Sequence, residues 1–456
     1  MKLAHAIETD PKFYRRLLSI ALPLAAQNII TVGVNLVDNM MLGQLGEVAM
    51  SASTQANHFI SLFQFCIMGI SMGSAVLTAR FWGAKDIRSL KQAVTIALRI
   101  AALMAVGITV ISAMFAEPIL RLYSKDPMVI YEGVRYLIWS LPTFLLTALA
   151  TVCTNVLRSV NLGKIPLIAS IAAFAVNIGA NYIFIFGKAG APAMGVAGAA
   201  LGTVIARVLE TAIICGYFFF RDSRISYRVR DLFGRCRGLV SEYLRTSMPV
   251  LVSDGLLGIG DNALAVIMGQ IGDQFVAATS IINVTQRVTT ILISSISFAS
   301  CFMIGQVLGT GDVPKAKKQG TTFFGLGVVI GILAALLVQL IKTPIINIYN
   351  ITEETRTIAF ALMNSISLII VFRSTNSILT KGVLRAGGDT RFLMVADVLF
   401  LWIVAIPLGT LTGIVWKLPP FWVYLCLYSD QILKAIWCVF RLHGGKWIKH
   451  ISGSES

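Results

Sequence analysis

Charged residues are scarce in this chain of 456 residues. Asp, Glu, Lys and Arg together make up 13% of the sequence, whereas a soluble globular domain carries about 25%. Hydrophobic residues account for 56% of the sequence, and the mean hydropathy is +0.78. Too few charged side chains are present to cover the surface of a water-soluble fold. The composition therefore predicts an integral membrane protein, and we expect it to be all-α.

Residue types that support catalysis or metal binding are also sparse. The four histidines are scattered, and the seven cysteines form no CxxC pair. No Ser-His-Asp arrangement, HExxH motif or Gly-Lys-Ser/Thr phosphate loop is found. We therefore expect no enzyme activity, no metal site, no cofactor and no ATP coupling. The cysteines are interpreted as small packing residues.

The second half of the chain repeats the first half at a fixed offset. Pro23 and Pro249 are 226 positions apart (249 − 23), and the same offset relates the segments 43–46 (GQLG) and 269–272 (GQIG). Four further pairs share this offset: Gly83 with Gly309, Asp86 with Asp312, Pro118 with Pro344, and Tyr123 with Tyr349. A duplicated membrane bundle is typical of transporters, whose two lobes move around a central site.

Twelve apolar runs are long enough to cross a membrane, which takes about 20 residues per helix. They lie at 17–41, 52–78, 93–115, 130–157, 166–187, 194–220, 243–267, 278–304, 319–341, 356–383, 392–413 and 420–441. This spacing predicts an N-lobe of six helices at 1–220, a basic cytoplasmic linker at 221–245 and a C-lobe of six helices at 246–456.

Basic residues concentrate in alternate loops, which indicates the orientation of the chain. Both termini are therefore expected on the cytoplasmic side, and six helices per half predict lobes related by a pseudo-two-fold axis along the membrane normal. The net charge of +16 then reports topology and does not indicate nucleic-acid binding. Anionic membrane lipid at the inner leaflet is the expected partner of these basic loops.

One acidic residue in the first apolar run has no base within reach on its own helix. Asp38 lies fifteen residues after Pro23, and its repeat mate is Leu264 (38 + 226). A carboxyl group in a low-dielectric place is harder to ionise, so it would be able to carry a proton at physiological pH. This behaviour suits a coupling-ion site. The alternative is a wet or hydrogen-bonded carboxyl near the outer end of the helix.

Several short strings, in this order and spacing, resemble the multidrug and toxic compound extrusion (MATE) family. They are Leu22-Pro23 followed by Asp38, Gly83-Ala84-Lys85-Asp86 and Gly309-Thr310-Gly311-Asp312, Leu157-Arg158-Ser159 and the 384–390 segment (LRAGGDT), and Asn177 with Asn181. The resemblance covers nearly the whole chain. It implies a secondary antiporter that expels organic cations in exchange for protons or sodium ions.

The resemblance also implies a cation-coupling site in the N-lobe around Asp38. Asn177 and Asn181 are four apart and share one face of helix 5, and Thr203 and Tyr136 would complete the shell. Some family members have a second carboxylate where this chain has Asn181, which weakens the case for tight sodium binding. The alternative role for these polar groups is to hold neighbouring helices together by hydrogen bonds.

The C-lobe carries four intramembrane charges that admit two interpretations. Asp254 and Asp261 are seven apart on helix 7, while Arg287 and Arg373 lie on helices 8 and 10. They would either pair with one another as a neutral network or line the substrate cavity, where one acid binds a cationic substrate. Two nearer pairs, Arg207 with Glu210 and Asp430 with Lys434, are expected to be local ion pairs.

The sequence therefore predicts a monomeric multi-pass antiporter of the bacterial cytoplasmic (inner) membrane. Its substrate would be a drug-like, amphipathic and cationic small molecule, and its coupling ion H⁺ or Na⁺. The alternative is a lipid-linked oligosaccharide flippase of the same twin-lobe architecture, for which Arg287 and Arg373 would supply positive charge. A receptor or scaffold that transports nothing is the third possibility, and flux measurements in proteoliposomes would distinguish it.

Overall fold

The computed structural model describes residues 7–234, 236–349 and 351–449. Within these ranges the regular structure is helical, with long helices joined by short loops and a 3₁₀ turn at Val229–Phe233. The helices are α1 Pro11–Gly43, α2 Glu47–Gly83, α3 Ile87–Arg121, α4 Pro127–Ser159, α5 Lys164–Phe186, α6 Val196–Arg221, α7 Arg237–Ile271, α8 Asp273–Gly309, α9 Val313–Ile348, α10 Glu353–Leu384, α11 Thr390–Val415, α12 Pro420–Leu427 and α13 Ser429–His443.

The helices agree with the apolar runs in the sequence. Eleven of those described are long and apolar enough to cross a membrane, and α12 and α13 together form a twelfth candidate span, bent by 47°. The bend follows Tyr428, whose backbone leaves the helical region with φ −112° and ψ 22°. The predicted all-α fold with twelve spans is thereby confirmed.

Aspartate caps begin the corresponding helices of the two repeats. The Asp86 side chain accepts a hydrogen bond from the Ser89 amide at the start of α3 (3.0 Å), and Asp312 does the same with Lys315 at the start of α9 (3.0 Å). An N-cap carboxylate satisfies an amide that has no intrahelical partner. The repeated GAKD and GTGD strings therefore work as helix-end signals.

Several helices depart from α geometry inside the apolar region. Phe115 in α3 has φ −123° and ψ 26°, three residues before Pro118, whose ring and missing amide prevent regular pairing. Wide π-helical turns end α6 at Tyr217–Arg221 and α10 at Ile378–Leu384, and two more interrupt α11 at Leu399–Ala405 and Leu411–Val415. Such turns free backbone carbonyls and are frequent at functional sites.

The chain divides into two compact units whose boundaries lie inside helices. The N-unit comprises Leu22–Leu251, and the C-unit combines Met1–Ala21 with Val252–Ser456. The expected lobes at 1–220 and 246–456 differ from these units at both ends. The first turns of α1 belong to the C-unit, and the first turns of α7 belong to the N-unit. The linker and the first half of α7 therefore both lie within the N-unit.

Candidate functional site

Helices α1 and α5 bring three of the predicted coupling residues together in the N-unit. The Asn181 side-chain amide donates hydrogen bonds to Asp38 Oδ1 (2.5 Å) and to Asn177 Oδ1 (3.4 Å). Both asparagines are buried, with 0% and 2% of their surface exposed for Asn181 and Asn177. Their spacing of four residues places both amides on the face of α5 that meets Asp38.

Helices α2, α4 and α6 add a second layer of polar groups beside Asp38. Tyr136 is buried, and its hydroxyl lies close to Thr203 and within electrostatic range of Asp38. Asn57 on α2 donates to the same hydroxyl (3.5 Å). The Asp38 cluster is therefore defined by Asp38, Asn57, Tyr136, Asn177, Asn181 and Thr203. Asn57 was not predicted, although an amide within an apolar run is a recognisable signal.

Small residues let α6 approach α5 closely at the Asp38 cluster. A side chain on Gly202 would collide with Asn181 Oδ1, and one on Gly198 would collide with the backbone of Phe184. Asn181 Oδ1 is buried and accepts no hydrogen bond from the described residues. The orientation of the Asn181 amide is therefore set by its donation to Asp38 and by its packing against Gly202.

A base whose charge reaches Asp38, Arg207, is paired with a different acid. Arg207 Nη1 lies 2.6 Å from Glu210 Oε2 on the same helix, which confirms the predicted local pair. Arg207 is within electrostatic range of Asp38, but Asp38 forms no ion pair with any residue in the ranges described. The carboxylate of α1 is therefore hydrogen-bonded and not neutralised by direct contact with a guanidinium.

No metal centre of ordinary composition is found in the described part of the chain, where no three His, Cys, Asp or Glu residues converge. The Asp38 cluster contains a single carboxylate, together with amide and hydroxyl groups. Such a set suits a proton or a weakly held monovalent cation better than a divalent metal, which prefers several carboxylates or imidazoles.

In the C-unit, Asp254 pairs with a base that the sequence interpretation did not select. Arg385 Nη2 lies 3.1 Å from Asp254 Oδ1, and the Arg385 side chain is only 4% exposed. The expectation of a network among Asp254, Asp261, Arg287 and Arg373 is therefore wrong for Asp254. Arg385 directly follows the π-helical turn Ile378–Leu384 that ends α10, and it contacts Asp254 on α7.

The other three predicted C-unit charges do not form ion pairs among the described residues. Asp261 is exposed and lies within electrostatic range of Arg373. The Arg373 guanidinium stacks 5.1 Å from the centre of the Tyr428 ring. Arg287 is exposed, while the neighbouring Gln286 turns inward and donates to the Tyr424 hydroxyl (2.8 Å).

A buried three-member ion cluster joins α11 to α13. Lys434 Nζ lies 3.0 Å from Asp430, as predicted, and 3.1 Å from Asp397. Asp397 also accepts a hydrogen bond from Ser253 on α7. Asp397 was missed, although an acid in the run 392–413 is visible in the sequence. The ammonium group of Lys434 therefore lies between two carboxyl groups.

Comparison with known proteins supports the fold and the repeat. A family model described as MatE matches residues 23–183 and 249–435, one segment in each half. The "Probable multidrug resistance protein NorM" of Rhodopseudomonas palustris is 27% identical over 93% of this chain and 90% of its own length. The "Probable multidrug resistance protein YoeA" of Bacillus subtilis is 25% identical over 88% of this chain and 87% of its own.

Solved structures match over nearly the whole chain. The Vibrio cholerae MATE transporter VcmN has a TM-score of 0.86 at 16% identity, covering 96% of this chain and 98% of the other. A MOP superfamily transporter from Pyrococcus furiosus has a TM-score of 0.85 at 16% identity, covering 94% and 96%. At this identity the likeness concerns the fold, and it agrees with the helix order described above.

Proposed function

The chain belongs to the MatE family of multi-pass membrane transporters, and we propose that it exports amphipathic, cationic organic compounds in exchange for protons. Sodium is the alternative coupling ion. The names of its curated relatives as multidrug resistance proteins support the substrate class. Alternating access by movement of the two units is the expected mode of transport.

The observation that carries the proposal is an intramembrane carboxylate without a direct ionic partner. Asp38 accepts a hydrogen bond from the Asn181 amide (2.5 Å) and forms no ion pair in the ranges described. A group in this position can exchange its negative charge for a bound proton at low structural cost. An acid that was already paired with a guanidinium would lose that freedom.

The neighbours of Asp38 suit a change in protonation. Ionised Asp38 is acceptor-only, which matches the NH₂ group of Asn181, whereas protonated Asp38 becomes a donor. Asn177 Oδ1 lies next to the Asn181 amide and would accept a bond after local rearrangement. Proton binding would thus exchange one hydrogen-bond pattern for another, which is the kind of local event that biases a two-state transporter.

The neutral amide at position 181 favours protons over sodium ions. A sodium site gains from several negatively charged or carbonyl oxygens, and the Asp38 cluster supplies one carboxylate together with amides and hydroxyls. We therefore expect the export rate to follow an imposed proton gradient. A sodium gradient imposed at constant pH would drive little export.

The C-unit offers a candidate contact for the substrate cation. Asp261 is exposed and forms no ion pair with the described residues, and two tyrosines, Tyr424 and Tyr428, lie near its neighbour Arg373. Acidic and aromatic groups together attract amphipathic cations. The flippase alternative rests on Arg373 and Arg287, neither of which forms an ion pair among the described residues, and it predicts transport of a lipid-linked pyrophosphate and no export of cations.

The remaining expectations follow from this transport role. We propose that the protein acts as a monomer in the bacterial inner membrane, with both termini in the cytoplasm and anionic lipid around its basic loops. Enzyme activity, a bound cofactor, ATP coupling and nucleic-acid binding form no part of the proposal. Measuring the flux of substrate across the membrane in one direction tests the transport role directly.

The test is to replace Asp38 by Asn and measure export of ethidium from proteoliposomes under a proton gradient. The variant keeps the shape of the side chain but cannot carry the exchanged charge, so we expect proton-driven export to be lost while membrane insertion is retained. Asp273→Asn, which changes an acid in the first turn of α8, is the control. Full export by Asp38→Asn would remove Asp38 from the mechanism.

A further inference from the structure

A second intramembrane acid lies on α6, the helix that also carries Thr203 of the Asp38 cluster, and it has no part in the exchange described above. Glu210 on α6 has a side chain that is only 13% exposed. Its Oε2 is 2.6 Å from Arg207 Nη1, and its Oε1 accepts a hydrogen bond from the Ser170 hydroxyl (3.1 Å). Both carboxylate oxygens are therefore fixed by neighbouring groups, and Glu210 is held in one orientation.

The fixation of Glu210 extends across three more helices of the N-unit. Ser170 on α5 accepts a hydrogen bond from the Gln27 side-chain amide on α1 (3.0 Å). The Gln27 carbonyl in turn accepts from Arg158 Nη2 on α4 (2.5 Å). This chain of side-chain hydrogen bonds holds Glu210 Oε1, whereas Arg207 contacts Oε2, so that the acid cannot easily follow the guanidinium.

Arg207 has two carboxylates within electrostatic range but contacts only one of them. It pairs directly with Glu210, yet it also influences Asp38 and the Tyr136 hydroxyl. The Arg207 side chain is 35% exposed, so solvent would screen it in part, but a guanidinium that lost its partner would still be attracted to the remaining carboxylate. A contact of this kind would occupy the same oxygens of Asp38 that the coupling cation needs.

We propose that Glu210 is a positioning residue that holds Arg207 away from Asp38 and so keeps Asp38 free for the coupling ion. The inference rests on the proposed coupling role of Asp38. The charged or titratable groups around the Arg207–Glu210 pair are Asp38 on α1 and Tyr136 and Arg158 on α4, while α5 contributes the neutral Ser170. Among the described residues, the ion pair of Arg207 is the one with Glu210.

The test compares Glu210→Gln with the double variant Arg207→Gln/Glu210→Gln in proteoliposomes, using proton-driven ethidium export between about pH 5.5 and pH 8.5. In Glu210→Gln the freed guanidinium pairs with Asp38 and stabilises its ionised form. We expect export at pH 7 to fall by about tenfold, and the pH of half-maximal export to move about one unit lower. The double variant lacks the guanidinium, so we expect it to recover the wild-type pH profile.

A control pair of the same kind is present on α4. Arg135 and Glu132 are also three residues apart and in contact (3.0 Å), and we expect Glu132→Gln to leave the pH profile unchanged. We expect Arg207→Gln alone to retain export. This variant tests the positioning role if Glu210→Gln inserts poorly into the membrane. Loss of export in Arg207→Gln, or equal defects in Glu210→Gln and the double variant, would overturn the positioning role.

The Asp38→Asn variant separates this inference from the proposed function. If Asp38→Asn abolishes proton-driven export and Glu210→Gln behaves as wild type, the coupling role of Asp38 stands and the positioning role of Glu210 fails. If Asp38→Asn exports normally, the coupling role fails, and with it the reason to keep Arg207 away from Asp38.

Discussion

At the scale of single residues, the orientation of one amide decides what Asp38 can do. Asn181 presents its NH₂ group to the carboxylate because its oxygen packs against Gly202 on α6. A glycine at this point lets two helices approach closely enough to fix that orientation. The chemistry of the cluster therefore depends on a residue that has no functional group of its own.

We predict that Gly202→Ala lowers proton-driven export by about tenfold, which corresponds to about 1.4 kcal/mol of lost coupling. The added methyl group would collide with Asn181 Oδ1 and turn the amide away from Asp38. Gly179→Ala on α5 is the matched control, because a methyl group there meets nothing within 4 Å. Equal export by the two variants in proteoliposomes would contradict the prediction.

Residue-scale features differed in how far the sequence revealed them. Asn177 with Asn181, and Arg207 with Glu210, were predictable because partners three or four apart must share a helix face. The pairing of Asp254 with Arg385 was not, because it depends on the depth and rotation of two different helices. A pattern within one helix carries no information about either quantity.

At the scale of elements, the linker between the halves is docked and not loose. Lys91 on α3 contacts Asp231 (3.0 Å), Thr95 shares a hydrogen bond with Tyr227 (2.8 Å), and Arg99 donates to backbone carbonyls of the linker. The sequence showed only a basic segment at 221–245. It did not show that one acid and one tyrosine inside that segment would bind the segment to α3.

Two titratable groups, Asp231 and Tyr227, set the pH range in which the linker stays bound to α3. Burial raises the pKa of Asp231, but hydrogen bonds from the Arg228 amide and Lys91, with the charges of Lys91 and Arg230, outweigh it and leave the pKa below its usual 3.8. Burial raises the pKa of Tyr227 to about 12. The contribution of Asp231 to the stability of the docked linker is therefore present above about pH 4 and is lost as the pH falls further. That of Tyr227 is present below about pH 10 and is lost as the pH rises towards about 12.

We predict that the linker stays docked between about pH 5 and pH 9 and that Asp231→Asn releases it. Release would appear as faster hydrogen exchange of the amides in 223–234, measured by mass spectrometry on the purified protein. Ser223→Ala changes an exposed linker residue and should exchange like the wild type. The prediction fails if Asp231→Asn and Ser223→Ala exchange at the same rate.

The helices themselves were the most predictable elements. Twelve apolar runs of about 20 residues indicate membrane-spanning helices. In a helix, each backbone amide and carbonyl in the bilayer finds a hydrogen-bond partner within its own segment. The interruptions inside those helices were less predictable. Pro118 signals the break at Phe115, whereas the sequence pattern did not predict the π-helical turns of α11 at Leu399–Ala405 and Leu411–Val415.

At the scale of the whole molecule, the first turns of α1 belong to the C-unit, and the first turns of its repeat mate α7 belong to the N-unit. The boundary in α1 lies between Ala21 and Leu22, next to Pro23, and the boundary in α7 lies between Leu251 and Val252, next to Pro249. The prolines are repeat mates. Each removes one backbone hydrogen bond and permits its helix to bend, at the place where the chain passes from one unit to the other.

We therefore predict that α1 and α7 flex at these prolines when the units move. Restoring the missing hydrogen bonds with Pro23→Ala/Pro249→Ala should stiffen both helices and slow ethidium export by about tenfold, a barrier increase of about 1.4 kcal/mol. Thermal stability of the purified protein should not fall, because helix bonds are gained. Pro142→Ala provides the control, since α4 lies wholly within the N-unit and should export at the wild-type rate. Slowing by Pro142→Ala to the same extent would show that the prolines act through general helix flexibility and not at the unit boundaries.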